Sequence, residues 1–197
     1  MNLIYWTAAI TLLCCFAVFI IVVFRGFADS FAEGRKSSRA VRLGVIAQSL
    51  SFSLAWTFRR PRVNPFGGEA LWPDILVAAF SLALAGGAIA LAVASKKCLG
   101  KHWAMAARVL DGHRLVTDGP FGRVRHPLYL AMGLLLLSPV IGLSSWLGAA
   151  TAVPLFAYGT YLRARAEEKV LGEAFGPEYE DYRRRVPAFI PRLRKAR

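Results

Sequence analysis

Charged residues are missing from four long stretches of this chain. Residues 1–24, 43–58, 75–95 and 127–162 contain no Asp, Glu, Lys or Arg, although the chain holds 25 basic and 12 acidic residues elsewhere. Burying a charge in hydrocarbon is costly, so a chain that crosses a membrane keeps its charges outside the spans. With 56% hydrophobic and 19% charged residues, the composition also departs from that of a soluble domain. The sequence therefore predicts an all-α integral membrane protein.

Acidic residues and cysteines are few as well. The net charge of +13 could indicate a nucleic-acid partner, but the basic residues are spread over loops beside apolar segments, so we predict no nucleic acid. The enrichment of Lys and Arg on the cytoplasmic side of membrane proteins explains them more simply. The cysteines, Cys14, Cys15 and Cys98, offer neither an even disulfide framework nor a C-x-x-C pair. We interpret them as reduced, structural residues.

Several catalytic signatures are absent. The sequence has no G-x-S-x-G, no P-loop and no G-x-G-x-x-G that follows a strand, so hydrolase, NTPase and Rossmann-type functions lack their usual motifs. The three histidines, His102, His113 and His126, are spaced by 11 and 13 residues, without a thiol or carboxylate cluster. Because this spacing matches no zinc-site pattern, we predict no metal site.

The charge-free stretches predict the spans. Leu3–Phe24 is long enough to cross a bilayer core of about 30 Å as a helix. Residues 43–58 predict a shorter and more polar second span, in which Gln48 must face other helices. Residues 75–95 predict the third span, where Gly86-Gly87 should let helix backbones approach closely.

The last charge-free run, residues 127–162, is 36 residues long, which is too long for one comfortable span. Pro139, Gly142 and Ser144-Ser145 lie at its middle and predict a turn. We therefore expect a helical hairpin of two short spans, which makes about five transmembrane helices. The whole chain is predicted to be one membrane domain, residues 1–197, with three N-terminal spans in residues 1–95 and a loop, the hairpin and a tail in residues 96–197.

The basic loops predict the orientation. Segments 25–42 and 96–126 and the tail after residue 162 carry 22 of the 25 basic residues, which predicts a cytoplasmic C-terminus and an N-terminus outside. The loop 59–74 is dense in Pro and Gly and is expected to end the helices on either side. Trp72 in this loop is expected to mark the membrane interface before the third span.

The tail contains a Pro suited to the first turn of a helix, in the sequence FGPEYEDYRRRV. Phe175, Tyr179, Tyr182 and Val186 recur at spacings of four, three and four, which predicts one apolar stripe on a short helix. The helix could lie on the membrane surface, and its stripe could close over a site made by the loop and the hairpin. The two interpretations are compatible.

Polar candidates for chemistry lie next to the predicted hairpin. Arg163 and Glu167 are four residues apart on a helix, so they share a face and could form an ion pair of little energetic value. Arg125-His126-Pro127 could be an interfacial anchor that ends in a helix-starting proline. On the residues alone, these structural interpretations and functional ones stay open.

Three motifs occur together between residues 99 and 191: H-R-L-V, R-H-P-L-Y, and E-E followed by F-G-P-E-Y. As a set they closely resemble the isoprenylcysteine carboxyl methyltransferase family and its bacterial and archaeal relatives, which are multi-span membrane enzymes that use S-adenosylmethionine. The resemblance implies a cytoplasmic cofactor-binding loop and C-terminal helix, and a multi-pass enzyme of a prokaryotic inner membrane.

The resemblance also implies roles for the matching residues. Arg163 would be the catalytic residue that orients the acceptor, and Glu167 would contact the cofactor. Phe121 stands where relatives often have Tyr, so only a stacking contact can remain there. The implied cofactor-binding residues are His113, Arg114, Leu115, Val116, Phe121, Arg125, His126, Pro127, Leu128, Tyr129 and Glu167.

The implied reaction is methyl transfer from S-adenosylmethionine to a carboxylate of a lipophilic, isoprenylcysteine-like acceptor, with S-adenosylhomocysteine as the product. This chemistry needs no general base near neutral pH, because a carboxyl group with a pKa of about 3.5 is already ionised. Positioning and desolvation are what the protein must supply. The expected partners are a lipophilic small molecule or prenylated acceptor and membrane lipids.

Three other hypotheses remain open. A phospholipid or amine N-methyltransferase would need a base to deprotonate its ammonium group, for which His126 or Glu168 could serve. A non-catalytic membrane subunit could retain the same scaffold. A membrane reductase of related architecture could bind a nicotinamide cofactor in a similar place. The motifs bear on the cofactor far more than on the acceptor, and they predict no oligomeric state.

Overall fold

The computed structural model describes residues 3–24, 38–63, 71–100 and 115–191. Over these ranges the chain forms six α-helices and one 3-10 helix, and the one extended pairing among them is an isolated bridge between Arg59 and Ser144. The all-helical prediction is confirmed for this part of the chain. The helices are α1 (Leu3–Phe24), α2 (Arg39–Thr57), α3 (Leu71–Leu99), the 3-10 helix (Gly119–Gly122), α4 (Pro127–Gly142), α5 (Trp146–Phe175) and α6 (Pro177–Arg185).

Two of the described helices are long and apolar enough to cross a membrane. They are Leu3–Val23 within α1, and α3, with mean hydropathies of 2.6 and 2.3. Helix α4 is apolar but shorter, and α2 and α5 carry more polar residues. The count of five spans therefore remains a prediction.

The helix boundaries agree with the sequence in part. Helix α1 has the predicted bounds, but α2 begins at Arg39 because the Ser38 hydroxyl accepts a hydrogen bond from the backbone N–H of Val41 at 3.3 Å. The prediction that Leu71 belongs to a loop is wrong, because α3 starts there. Pro73 lies in its first turn, where a missing N–H costs no helical hydrogen bond.

The predicted turn of the hairpin is confirmed. Helix α4 ends at Gly142 and α5 begins at Trp146, after Ser145 caps it by accepting from the N–H of Gly148 at 3.3 Å. The second helix continues beyond the charge-free run, as expected from the placement of Arg163 and Glu167 on a helix. Helix α5 runs unbroken for 30 residues, because the sequence after the charge-free run is rich in the helix formers Ala, Glu, Arg and Lys.

Each helix of the hairpin packs mainly against an N-terminal helix. The most extensive contacts are those of α2 with α5, of α3 with α4, and of α1 with α3. Among the described residues, the prediction of close packing at Gly86-Gly87 is wrong, since a Cβ atom there would meet none of their side chains or other helices within 4 Å. The buried face of α3 presents Ala85 and Ala88 instead, both with no exposed surface.

Arg60 closes the turn end of the hairpin. Its Nε donates to the carbonyls of Arg62 at 2.9 Å and Val63 at 3.0 Å. Its Nη1 donates to the carbonyl of Ser144 at 2.5 Å, and its Nη2 donates to the carbonyls of Ile141 and Val63. A cation at the carboxyl end of a helix satisfies carbonyls that have no helical partner. The segment after α2 thereby fixes the end of α4.

Helix α6 folds back onto the rest of the protein. Gly176, at a φ of 50°, makes the sharp turn after α5 in a conformation that favours glycine. Tyr179, Tyr182 and Val186 are buried, and they pack with partly buried side chains that include Leu115. The apolar stripe thus packs against the protein, which favours the interpretation that it closes over a site, and the placement of the helix on the membrane surface stays a prediction.

Candidate active site

The start of α4 is held in place by the chain that follows α6. The backbone N–H of Arg125 donates to the carbonyl of Pro187 at 2.8 Å, and that of His126 donates to the carbonyl of Ala188 at 3.0 Å. His126 is the N-cap residue, and Pro127 follows at the first helical position, where its missing N–H has no helical role. The side chains of Arg125 and His126 therefore extend from a backbone that is held by the segment after α6 and by the start of α4.

Arg125 links α5 to the end of α6. Its Nε and Nη2 donate to Glu168 Oε1 at 3.1 Å and 2.7 Å, and its Nη1 donates to the carbonyls of Arg183 at 3.1 Å and Val186 at 2.7 Å. Because three nitrogens of the guanidinium already donate to protein atoms, Arg125 has a clear structural role. Its predicted contact with a cofactor stays a prediction.

His126 lies between two carboxylates. Its Nε2 is 3.1 Å from Glu168 Oε1, its Nδ1 is 3.7 Å from Glu167 Oε2, and only 2% of the side chain is exposed. The rings of Tyr129 and Phe189 flank it at centroid distances of 5.5 Å and 5.4 Å. Burial alone would lower the pKa of His126, but the two carboxylates outweigh burial and raise it to about 9. The imidazole is therefore protonated at neutral pH.

The two carboxylates stay ionised. Burial would raise the pKa of Glu168, but the hydrogen bonds from His126 and Arg125 lower it to about 2. The pKa of Glu167 is also lowered, because His126 and Tyr129 outweigh the effect of burial. The side chain of Glu167 keeps 35% of its surface exposed, compared with 19% for Glu168. Glu167 is thus the carboxylate that is more accessible to a ligand.

Arg163 lies one turn before Glu167 on α5 and is 8% exposed. Its Nη1 donates to Gln48 Oε1 at 2.6 Å, and its guanidinium carbon lies 5.0 Å from the centroid of the Tyr129 ring. Its Nε is buried and has no hydrogen-bond partner within the described ranges. Among the described residues Arg163 and Glu167 form no direct ion pair, since Arg163 bonds Gln48 and Glu167 lies next to His126, but the charge of Arg163 helps to lower the pKa of Glu167.

Two glycines bring α2 and α5 together beside Arg163. A Cβ atom on Gly44 would lie 2.5 Å from Arg163 Cγ and 2.7 Å from the carbonyl oxygen of Gly159. A Cβ atom on Gly159 would lie 2.7 Å from the carbonyl oxygen of Gly44. Any larger residue would push the helices apart, so glycine at both positions allows the arginine and its partner on α2 to meet.

Other predicted site residues occupy several environments. Leu115 packs on the buried face of α6, and Val116 beside it is half-buried. The Phe121 carbonyl accepts a hydrogen bond from the Tyr182 hydroxyl at 2.7 Å, which ties the 3-10 helix to α6. Leu128 packs against the hydrophobic core of α1, α3 and α4.

Two predicted cofactor-binding residues, His113 and Arg114, lie outside the described residues, as does His102. In the part of the chain that the structure describes, no group of three or more His, Cys, Asp and Glu side chains could hold a metal ion. The predictions for His113 and Arg114, and the prediction of no metal site, stay predictions.

Two residues that the set of site predictions left out lie within this constellation. Glu168 accepts from Arg125 and lies beside His126, although the sequence favoured its neighbour Glu167. Gln48 comes from α2 and contacts Arg163 across 115 residues of sequence. The only sequence signal for Gln48 was an amide in a charge-free stretch, which indicates a polar partner without identifying it.

Comparisons with known proteins agree with the motifs. The model of the isoprenylcysteine carboxyl methyltransferase (ICMT) family matches residues 79–173. The chain is 33% identical over 112 residues to the protein-S-isoprenylcysteine O-methyltransferase of Schizosaccharomyces pombe, which covers 48% of this chain and 46% of that protein.

Two bacterial relatives carry metal-resistance names. The chain is 35% identical over 157 residues to the cobalt-zinc-cadmium resistance protein CzcN of Cupriavidus metallidurans, covering 77% of this chain and 64% of the relative. It is 34% identical over 133 residues to the nickel-cobalt-cadmium resistance protein NccN of Alcaligenes xylosoxydans xylosoxydans, covering 64% and 57%. The chain thus spans less than two thirds of the length of each of these relatives.

Proposed function

We propose that this chain is a membrane methyltransferase acting on a carboxylate, because the model of the isoprenylcysteine carboxyl methyltransferase family matches it over residues 79–173. In this proposal S-adenosylmethionine is the methyl donor and the acceptor is a lipophilic, isoprenylcysteine-like molecule. The C–S bond of the sulfonium breaks and a C–O bond forms at the carboxylate, so the positive and the negative charge disappear together. No proton is transferred.

The observation that carries the proposal is the state of Arg163. A buried guanidinium is costly unless its N–H groups are satisfied, yet Nε has no partner within the described part of the chain. An acceptor carboxylate would supply that partner. A guanidinium holds a carboxylate through parallel hydrogen bonds, which fixes the direction of the attacking oxygen. Arg163 would therefore orient the acceptor.

The residues beside Arg163 fit the proposed cofactor. Glu167 is ionised, keeps 35% of its side chain exposed and lies one helical turn away. S-adenosylmethionine would supply an electrophilic methyl group, and its amino group suits a carboxylate of this kind. In this proposal Glu167 binds that amino group, and Tyr129 and His126 form the adjoining wall. Leu115 and Val116 would line the adenosine part of the site.

The charge states favour a carboxylate acceptor over an amine. An ammonium must lose a proton before it can attack, and the sequence offered His126 and Glu168 as bases. His126 already holds a proton at neutral pH, and Glu168, with a pKa of about 2, is a weak base engaged by Arg125. A carboxylate acceptor needs neither of these residues to accept a proton.

The surroundings of Arg163 favour a lipophilic acceptor. Helices α2 and α5 expose large apolar or aromatic side chains next to the Gly44–Gly159 contact, including Ile46 at 61% and Tyr158 at 58% exposure. A prenyl chain could bury apolar surface along these faces while its carboxylate reaches Arg163.

The membrane arrangement is part of the proposal. We propose five spans, formed by α1, α2, α3, α4 and the first part of α5, with the N-terminus outside and the charged site in the cytoplasm. Reporter fusions before residue 1 and after residue 197 would test it. A cytoplasmic signal from the N-terminal fusion would exclude a five-span arrangement with a cytoplasmic C-terminus.

The experiment that tests the function has two steps. Protein purified in detergent is first titrated with S-adenosylhomocysteine by calorimetry. It is then given radiolabelled S-adenosylmethionine with a short farnesylcysteine acceptor, with the amide of that acceptor as a blocked control, and with a lipid extract. We expect label in the free acid only, and release of the label as methanol on mild alkaline hydrolysis. Alkali-stable label in an amine lipid would overturn the carboxylate assignment.

The metal-resistance names of two relatives do not lead to a metal-binding proposal. No described cluster of His, Cys, Asp and Glu side chains could hold an ion, and each relative extends well beyond the matched part. The geometry around Arg163 supports the methyltransferase proposal instead.

A further inference from the structure

Gln48 is a buried amide that contacts the acceptor side of the proposed site. It lies on α2, is 2% exposed, and accepts a hydrogen bond from Arg163 Nη1 through Oε1 at 2.6 Å. Its Nε2 donates to the hydroxyl of Thr160 at 2.8 Å. The orientation of the amide follows from chemistry, because a guanidinium has only donors and must face the amide oxygen.

The two glycines set the distance between Gln48 and Arg163. Gly44 precedes Gln48 by four residues and Gly159 precedes Arg163 by four, so each glycine lies one turn from a member of the pair on the same helix face. The backbones meet at these glycines, and the stem of Arg163 passes over Gly44. Backbone contact therefore brings the amide to the guanidinium.

A neutral partner leaves the charge of Arg163 available. If residue 48 were a carboxylate, it would compensate the guanidinium and compete for its N–H groups. An amide fixes one nitrogen, Nη1, while the net positive charge remains for an anion at the Nε side. The fork is thus held in one orientation before an acceptor arrives.

We propose that Gln48 is a positioning residue that aims the open edge of Arg163 at the acceptor carboxylate. This inference rests on the proposed carboxyl methyltransfer. Helix α2 lies outside the residues that the family model matches, so the role of Gln48 is inferred from the contacts of this chain alone. The reacting oxygen is directed by Arg163, and Gln48 acts through the orientation of that side chain.

Three variants separate positioning from packing. Gln48→Met keeps the size of the side chain and removes both of its hydrogen bonds. Gln48→Glu keeps an oxygen that can accept a hydrogen bond from Arg163 and adds a negative charge. Thr160→Val removes only the hydrogen bond between Gln48 and Thr160. Each is compared with wild type for kcat and KM on the farnesylcysteine acceptor, affinity for S-adenosylhomocysteine, and melting temperature in detergent.

We expect Gln48→Met to lower kcat about 10-fold, since a loosely held guanidinium aims the acceptor poorly. Gln48→Glu should raise KM for the acceptor roughly 10-fold, because its carboxylate competes for Arg163, while it melts no lower than Gln48→Met. Thr160→Val should stay within about 3-fold of wild type in both constants, because the bond to Arg163 remains. Affinity for S-adenosylhomocysteine should be unchanged in all three.

The outcomes distinguish the inference from the function. If folded Gln48→Met and Gln48→Glu match wild type in kcat and KM, methyl transfer stands and the positioning role is overturned. If the activity of all three variants simply follows their melting temperatures, Gln48 only packs the helices, and the inference also fails. If wild-type protein methylates no acceptor, the proposed function fails first and the role of Gln48 falls with it.

Discussion

Arg60 and Arg163 lie at opposite ends of the α4–α5 hairpin, and their surroundings differ in kind. The guanidinium of Arg60 donates through Nε, Nη1 and Nη2 to backbone carbonyls, among them those of Ile141 and Ser144. In the described part of the chain, the guanidinium of Arg163 donates to the side chain of Gln48 and lies over the ring of Tyr129, and its Nε has no partner. An arginine whose three nitrogens all donate to backbone carbonyls is held by the protein itself, whereas a buried one with an unbonded Nε can still offer a donor to a ligand. The comparison is consistent with a structural role for Arg60 at the turn end and with the chemical role proposed for Arg163 at the other end.

Replacing each arginine with lysine tests whether Arg60 and Arg163 differ in role. We expect Arg163→Lys to lower turnover of a carboxylate acceptor roughly 100-fold, or about 2.7 kcal/mol, with unchanged affinity for S-adenosylhomocysteine. Lysine keeps the charge but loses the planar fork that can hold both carboxylate oxygens. Labelled methyl transfer and calorimetry would measure the two effects.

Arg60→Lys is the matched control for that variant. It should keep turnover near wild type and lower the melting temperature by several degrees, because one ammonium cannot reach all the carbonyls that Arg60 bonds. The same pair of variants tests the acceptor class. If Arg163→Lys retains its rate on a labelled amine lipid or on a carboxylate acceptor, the role assigned to Arg163 is refuted.

Glu167, the more accessible of the two carboxylates, provides a further test of the proposed site. Glu167→Gln should weaken binding of S-adenosylhomocysteine about 10- to 100-fold, since one charge-assisted hydrogen bond is worth roughly 1.5–3 kcal/mol. Glu173→Gln, on the same helix but 68% exposed, is the control and should bind as wild type does. Calorimetry on the folded variants measures the affinity for S-adenosylhomocysteine. Equal affinities for Glu167→Gln and Glu173→Gln would show that Glu167 does not contact the cofactor.

The protonated histidine should make the site end sensitive to alkali. His126 has its pKa raised from 6.5 to about 9, so its stabilising contribution is complete below pH 6.5 and is lost as the pH rises through about 9. We expect the melting temperature of wild type to exceed that of His126→Gln by roughly 5 °C at pH 6, with the gap closing above pH 9. A gap that is constant from pH 6 to pH 10 would contradict this charge state.

Two tyrosines of α6 repeat the comparison on a smaller scale. The Tyr182 hydroxyl donates to the Phe121 carbonyl, whereas the buried Tyr179 hydroxyl has no partner among the residues described. Tyr182→Phe should cost about 1 kcal/mol, or roughly 2–4 °C in melting temperature, and Tyr179→Phe should cost nothing measurable. Thermal unfolding of both variants tests this, and equal losses would show that hydroxyl satisfaction is not what distinguishes them.

Much of the helical plan could be predicted from the sequence because it depends on local chemistry. The bounds of α1 follow from its uncharged length, and the turn before Trp146 follows from a cluster of Gly and Ser. The prediction of close helix packing at Gly86-Gly87 failed because small residues permit close contact without requiring it. Which face of α3 is buried depends on neighbouring helices, and no short stretch of sequence specifies them.

The candidate site was predictable only where its residues are close in sequence. Arg125 and His126 stand out at the start of an apolar helix, and Glu167 and Glu168 follow one another on the next helix. The spacing of Arg163 and Glu167 suggested a pair, but stronger partners exist elsewhere. Gln48 could not be matched to Arg163, because nothing local connects residues 115 positions apart.

The packing of the hairpin bears on how the protein is made and how it could be engineered. Helices α4 and α5 each find their main neighbour, α3 and α2, in the half of the chain that is synthesised first. During translation, α2 and α3 are therefore synthesised before the hairpin that packs against them. Grafting residues 96–197 onto unrelated N-terminal helices would remove both surfaces, including the glycine that admits Arg163. A chimera should retain activity only if α2 and α3 are transplanted along with the hairpin.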